Sequence, residues 1–324
     1  MRKLAILKSS SDMRKTLIYH YGGLGDFLCT LPFVYLWKKR TGNGIVLLGK
    51  PEQSRLVSGS GLIEETLDVN SSRFLPLFTE KAIGNQDFIN SFEHIVLFSS
   101  ERSSLLQNIR KFYTGTIIHQ LPIPVHGQHV IDYHVSLLQG PPINERIIFD
   151  SIIKLPPEYQ KTRDSLLQTN KRYITIHPGS GSSRKNWPLS NFIEISVYLK
   201  SKGFEIVWIC GPAEENITVP ANEFIMNSSD ILLTAAFLKT SSLHIDNDSG
   251  IAHLASAVDC PSIVLFGSSN PEVWKPFSAE IIISKSKCPY LPCHPGPVRE
   301  CKQECMKGIP VSVVIEKIEK NGYL

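Results

Sequence analysis

Residues 173–211, YITIHPGSGSSRKNWPLSNFIEISVYLKSKGFEIVWICG, decide the fold. YITIH (Tyr173–His177) and FEIVWIC (Phe204–Cys210) are short apolar runs rich in β-branched and aromatic residues, the pattern of buried strands. Between them lies a small-residue turn, then a Pro-initiated helix predicted over Leu189–Lys200. This is a β-α-β unit, and the rhythm continues with helix Ile231–Lys239, strand SLHID, helix Gly250–Val258 and strand SIVLFG. Upstream, TLIYHY (Thr16–Tyr21) reads as a strand leading through GGLGD into a helix from about Phe27 to Lys39. GIVLLG, IEETLDV, HIVLFS and TGTIIHQ read as further strands. Two such series imply parallel sheets with helices on both faces, which bind ligands where the strands end.

The rhythm weakens between Gly140 and Asn170, where paired prolines and a charged helical stretch stand. A boundary near residue 160 gives one domain over 1–160 and a second over 161–324, the last helix being free to pack back on the first. The 324 residues suffice for two cores. With 34 basic and 30 acidic residues and no long basic run, nucleic acid is not indicated. The first apolar stretch, Leu4 to Leu7, is too short for a signal-peptide core, and no run reaches the roughly 18 apolar residues of a spanning helix. A cytoplasmic protein is expected, touching a membrane from its inner face at most. WKKR (Trp37–Arg40) and IRKFY (Ile109–Tyr113) would serve such contact, or be solvated helix faces.

Four motifs fall at strand ends. In Tyr21–Asp26 the glycines Gly22, Gly23 and Gly25 let the backbone turn sharply at a helix N-terminus. Asp26 is either a helix cap or a carboxylate that takes a proton from an acceptor hydroxyl. A dinucleotide fingerprint is absent, because the third glycine is out of register. Gly179, Ser180, Gly181, Ser182, Ser183, Arg184 and Lys185 combine small residues with two cations, a phosphate cradle, although no GxxxxGK[ST] loop is present. Gly211, Glu214 and Glu215 follow the second strand, where a carboxylate either accepts from ribose hydroxyls or decorates a helix turn. Asp248, Ser249, Gly250 and His253 gather at a fourth strand end; Asp248 or Ser249 is either the helix N-cap or a site residue, Asp248 bonding sugar hydroxyls, and His253 is either a site residue or core.

Seven cysteines are present, four of them crowded at Cys288, Cys293, Cys301 and Cys305. Their spacing departs from CxxC pairs, so a structural Zn or Fe site, with His294 as a substitute ligand, stands beside reduced thiols packing a loop.

YGGLGDFLCTLP, HPGSGSSRKNWP and DNDSGIAHLASAVDCPSIVLFGSSNPEVWKP, in this order from Tyr19 to Pro276, resemble the motifs of the heptosyltransferases, glycosyltransferase family 9. The resemblance implies GT-B architecture, two Rossmann-like domains across a cleft, and inverting transfer of a sugar without a catalytic metal or cofactor. It implies ADP-heptose or a related nucleotide sugar as donor and a lipopolysaccharide core or other glycan or glycolipid as acceptor. Asp26 would be the general base, Lys185 and the Ser180–Ser183 backbone would hold the diphosphate, and Glu214 or Glu215 the ribose. Asp248, Ser249 and Gly250 would meet sugar and phosphate. Ile251 and Ala252 depart from the family pattern and leave other sugars open. An epimerase or hydrolase of nucleotide sugars, or a non-catalytic nucleotide-sugar-binding protein, are the competing readings.

Overall fold

The computed structural model describes residues 14–79, 85–125, 127–140, 143–168, 170–211, 214, 217–221, 223–293, 296 and 301–324. Each apolar run pairs with its neighbours in parallel. β1 (Lys15–Tyr19), β2 (Gly44–Gly49), β3 (Glu65–Asp68), β4 (His94–Phe98) and β5 (Thr116–Gln120) form a sheet of order β3-β2-β1-β4-β5. β6 (Arg172–His177), β7 (Phe204–Cys210), β8 (Phe224–Asn227), β9 (Leu243–Asn247), β10 (Ser262–Phe266) and β11 (Glu280–Ile283) form a second, of order β11-β10-β9-β6-β7-β8. β2, β9 and β10 are buried along their whole length, as strands covered on both faces must be. The chain therefore has the two parallel α/β sheets of a GT-B protein.

Helices α1 (Leu24–Thr41), α2 (Glu145–Ile152), α3 (Pro157–Leu166), α4 (Leu189–Ser201), α5 (Ile231–Thr240), α6 (Gly250–Ala257) and α7 (Val311–Lys320) cover the sheets. α1 is longer at both ends than the apolar pattern predicts. The Asp26 carboxylate, accepting from the Gly23 N–H, starts it, and Gly42, at φ 72°, stops it in the left-handed conformation. The strand predicted at IEETLDV shortens to Glu65–Asp68. β8 and β11 escape the sequence reading because each is a four-residue edge strand, pairing on one side and leaving Ile225 and Ile283 exposed.

α2 packs on α1, while α3 packs on α5. The last helix packs within the core of the second sheet. α7 buries Val314 and Ile318 in the core that holds Ile174, Ile206 and Trp208, and Lys317 pairs with Glu280 at 2.6 Å.

The two halves touch along α1 and α6. Phe27, Leu28 and Leu31 of α1 share one apolar cluster with Ile251, Leu254 and Ala255 of α6. This close approach needs glycine: a Cβ on Gly250 would lie 2.9 Å from Leu24 Cβ and 3.1 Å from Gly25 N. Phe149 stacks on Phe277 at 5.5 Å, and His129 Nε2 lies 2.8 Å from the Lys275 carbonyl, so further contacts cross the same junction.

Candidate functional site

The N-termini of α1 and α6 come together at the rim of a cleft of about 460 Å³. Gly23, Leu24, Gly25, Asp26 and Ile123 line it from one half; His177, Ser180, Gly181, Lys185, Gly211, Glu214, Asp248, Ser249, Gly250, His253 and Trp274 line it from the other. The size suits a nucleotide-sized ligand.

Asp26 serves as a cap and also faces the cleft. Its Oδ2 accepts from the Gly23 N–H at 2.7 Å, and Oδ1 has no hydrogen-bond partner among the described residues. Burial pushes its proton affinity above that of a free carboxylate, and the Gly23 N–H and the Lys185 charge oppose that rise without cancelling it. A carboxylate raised in this way is a better base than one in water. Gly22 does not line the cleft; it sits behind Asp26, where a Cβ would meet Asp26 Cβ at 2.6 Å and His20 Cε1 at 2.9 Å. Lys50 Nζ and Gln53 Nε2 both donate to the Gly22 carbonyl and hold this turn.

Across the cleft, Lys185 Nζ pairs with Asp248 Oδ2 at 3.2 Å, both side chains largely buried. Only Ser180, Gly181 and Lys185 of the predicted cradle reach the cleft. The Ser180 hydroxyl lies 2.8 Å from the Ser182 carbonyl and 2.5 Å from Asn186 Oδ1. Arg184 turns away and donates to the Gly296 carbonyl at 2.8 Å, while the Ser183 carbonyl accepts from Gln303. Ser183 and Arg184 thus brace the C-terminal loop, because the one-turn helix Ser183–Lys185 points successive side chains in different directions. Gly179 lies beside Glu214: a Cβ there would fall 1.7 Å from Glu214 Oε1. Glu214 is buried, with Oε2 accepting from the Gly211 N–H at 2.8 Å. Glu215 and His294 lie outside the described residues.

At α6 the cap reading of Ser249 holds. Its Oγ accepts from the Ile251 and Ala252 N–H groups and donates to Asp246 Oδ2 at 2.6 Å, which leaves no hydroxyl hydrogen for a ligand. Gly250 opens the helix at the cleft. His253 combines both readings: it lines the cleft, but its ring packs on Gly25 and its Nδ1 lies 3.5 Å from Cys29 Sγ. Burial lowers its pKa to about 4, so it is neutral.

His177 and Asp246 stand inside the sequence motifs but carry no site role in that reading; His177 lines the cleft and Asp246 lies buried beneath it. His177 ends β6, and Asp246, one residue before the end of β9, lies directly opposite it in register. His177 Nδ1 donates to Asp246 Oδ1 at 2.9 Å, and Asp246 is fully buried. Burial works against the imidazolium, yet Asp246 and Glu214 outweigh it and lift its pKa to about 9. Both residues stand at predicted strand ends, but only the order of the strands reveals that they meet.

Among the described residues no three His, Cys, Asp or Glu side chains are placed to hold a metal ion. Cys305 is turned into the core beside Met306, against Gly267. Burial first, and neighbouring thiols second, keep Cys293 and Cys305 protonated beyond the usual range. Three cations of the two basic patches have partners within the chain: Lys38 donates to Gly61, Arg40 to Leu138, and Arg110 pairs with Glu101. Trp37, Ile109 and Tyr113 are buried, as in solvated helices with one inward face. No helix among the described residues is long and apolar enough to cross a membrane.

Residues 119–307 match the model of glycosyltransferase family 9 (heptosyltransferase). Lipopolysaccharide heptosyltransferase 3 of Escherichia coli K12 is 26% identical over 172 residues, 49% of this chain and 50% of that protein. The match thus spans about half the length of that curated relative. The crystal structure of a family 9 glycosyltransferase from Veillonella parvula superimposes with a TM-score of 0.73 at 18% identity, covering 95% of this chain and 96% of that one. The Escherichia coli ADP-heptose lipopolysaccharide heptosyltransferase II gives a TM-score of 0.67 at 13% identity, over 95% and 98% of the two chains. These likenesses agree with the fold described above.

Proposed function

The chain belongs to glycosyltransferase family 9, and from that premise we propose that it transfers a heptose from ADP-heptose, with inversion, to a lipopolysaccharide core or related glycolipid at the inner face of the cytoplasmic membrane. The donor is suggested by the relative whose name includes ADP-heptose. The observation that carries the reading is the placement of Asp26 in one half and of Lys185 and the α6 N-terminus in the other, around a single cleft.

In this mechanism residues 1–160 bind the acceptor and 161–324 the donor. Asp26 takes the proton of the acceptor hydroxyl, whose oxygen attacks the anomeric carbon. The carbon–oxygen bond to the diphosphate breaks on the opposite face. The departing negative charge is met by Lys185, by the Gly181 backbone and by the N–H of Gly250, a preorganised positive environment. Asp248 both pairs with Lys185 and faces the sugar. Glu214 accepts from the ribose hydroxyls. Because Lys185 is already ion-paired, the helix terminus and the loop backbone carry a large part of the stabilisation.

The test is transfer from ADP-heptose to a truncated lipopolysaccharide core, with products weighed by mass spectrometry. Asp26→Asn should keep ADP affinity and lose turnover by about 10²- to 10⁴-fold, the worth of a positioned base. Full turnover in that variant removes Asp26 from the mechanism. Donor consumption that is equally fast without acceptor would instead favour the epimerase or hydrolase reading.

A further inference from the structure

His177 takes no part in the chemistry above, yet it has several charged and polar partners on the cleft floor. Nδ1 donates to Asp246 Oδ1 at 2.9 Å, with Ser249 Oγ at 3.3 Å from the same nitrogen. Nε2 faces Glu214 Oε1 at 3.7 Å, an ion-pair distance. Asp246 is itself fixed from His244 Nε2 at 3.1 Å, from the Ser249 hydroxyl at 2.6 Å and from the Asn247 N–H at 2.6 Å. The charged and titratable groups about the ring are therefore Asp246 and Glu214, with His244 reached through Asp246. Glu214 is only 5% exposed, and a carboxylate buried to that degree is stabilised by a paired charge and by hydrogen bonds. The Gly211 N–H supplies one bond; His177 supplies the charge.

We infer that His177 is a positioning residue for the donor: its ring, anchored by Asp246, pairs with the Glu214 carboxylate and holds it fixed in the cleft wall to accept hydrogen bonds from a vicinal diol on the nucleotide's ribose. This deepens the proposed function and rests on its donor half. Gly179 contributes by leaving open the space that Glu214 fills.

Calorimetry with ADP and 2′,3′-dideoxyadenosine diphosphate tests it. Wild type should prefer ADP by on the order of tenfold or more, as hydrogen bonds to a charged acceptor are worth. His177→Gln should bind the dideoxy analogue as wild type does but lose most of the preference, and Glu214→Gln should do the same. Equal weakening towards both ligands would mark a merely structural role and overturn the inference, as would an unchanged preference. Wild type supplies a check free of any folding defect. Its preference should shrink as pH rises through about 9, where His177 gives up its proton; a preference unchanged between neutral and alkaline pH overturns the inference. Absence of ADP binding to wild type would end the donor reading itself, a separate outcome.

Discussion

Replacing Asp246 with asparagine removes one negative charge from a site with no exposed surface. Asparagine keeps one acceptor but turns an NH₂ group towards His177, His244 or Ser249, all of which approach Asp246 at 3.1 Å or less. Removing one partner of a buried pair costs about 3–5 kcal/mol. An independent route gives a similar size. His177 is raised from 6.5 to about 9, and at 1.36 kcal/mol per unit this is roughly 3 kcal/mol of linked stability. Since the folded-state pKa lies above the unfolded one, that stability is fully present below pH 6.5 and is lost as pH rises through about 9. Asp246→Asn should therefore be destabilised by about 3–5 kcal/mol at pH 6.5 and by much less at pH 10. Urea denaturation of both proteins at the two pH values, followed by tryptophan fluorescence, reads this difference. A penalty that is the same at both pH values would refute the charge-pairing argument.

Gly250→Ala should lower stability by about 1–3 kcal/mol, the usual result of overpacking, because its Cβ would press on Leu24 and the Gly25 backbone; an unchanged melting temperature would mean that the seam yields freely. Lys185→Met should weaken ADP by on the order of tenfold or more while leaving adenosine nearly unaffected, as loss of a charged contact predicts; equal effects on both ligands would place the cation away from the diphosphate. His20, His134 and His253 are buried and depressed to about 3, 4 and 4. Their folded pKa values lie below 6.5, so the stability they lend is present above pH 6.5 and is lost as pH falls through about 4 and then 3. Melting temperature should drop steeply below neutral pH, and a flat profile down to pH 4 would contradict this.

The sheets were legible because central parallel strands are continuous apolar runs, as GIVLLG and SIVLFG show. The edge strands β8 and β11 carry too few buried residues to stand out. The motifs marked the strand ends correctly, but composition cannot say which way a side chain turns. Arg184 and Lys185 are adjacent and equally cationic, yet one braces a loop and the other faces the cleft. Ser249 likewise spends its hydroxyl on capping and on Asp246. The His177–Asp246 pair was invisible for a different reason: 69 positions separate the two residues, and their contact exists only because β6 and β9 are neighbours in the sheet.

A crystal structure of the chain with ADP is the most direct test of the cleft's assignment. The β-phosphate should lie within hydrogen-bond reach of Lys185 Nζ and the Gly250 N–H, with its terminal oxygen directed towards the Asp26 side. ADP seated outside this cleft, with Lys185 still paired only to Asp248, would contradict the account.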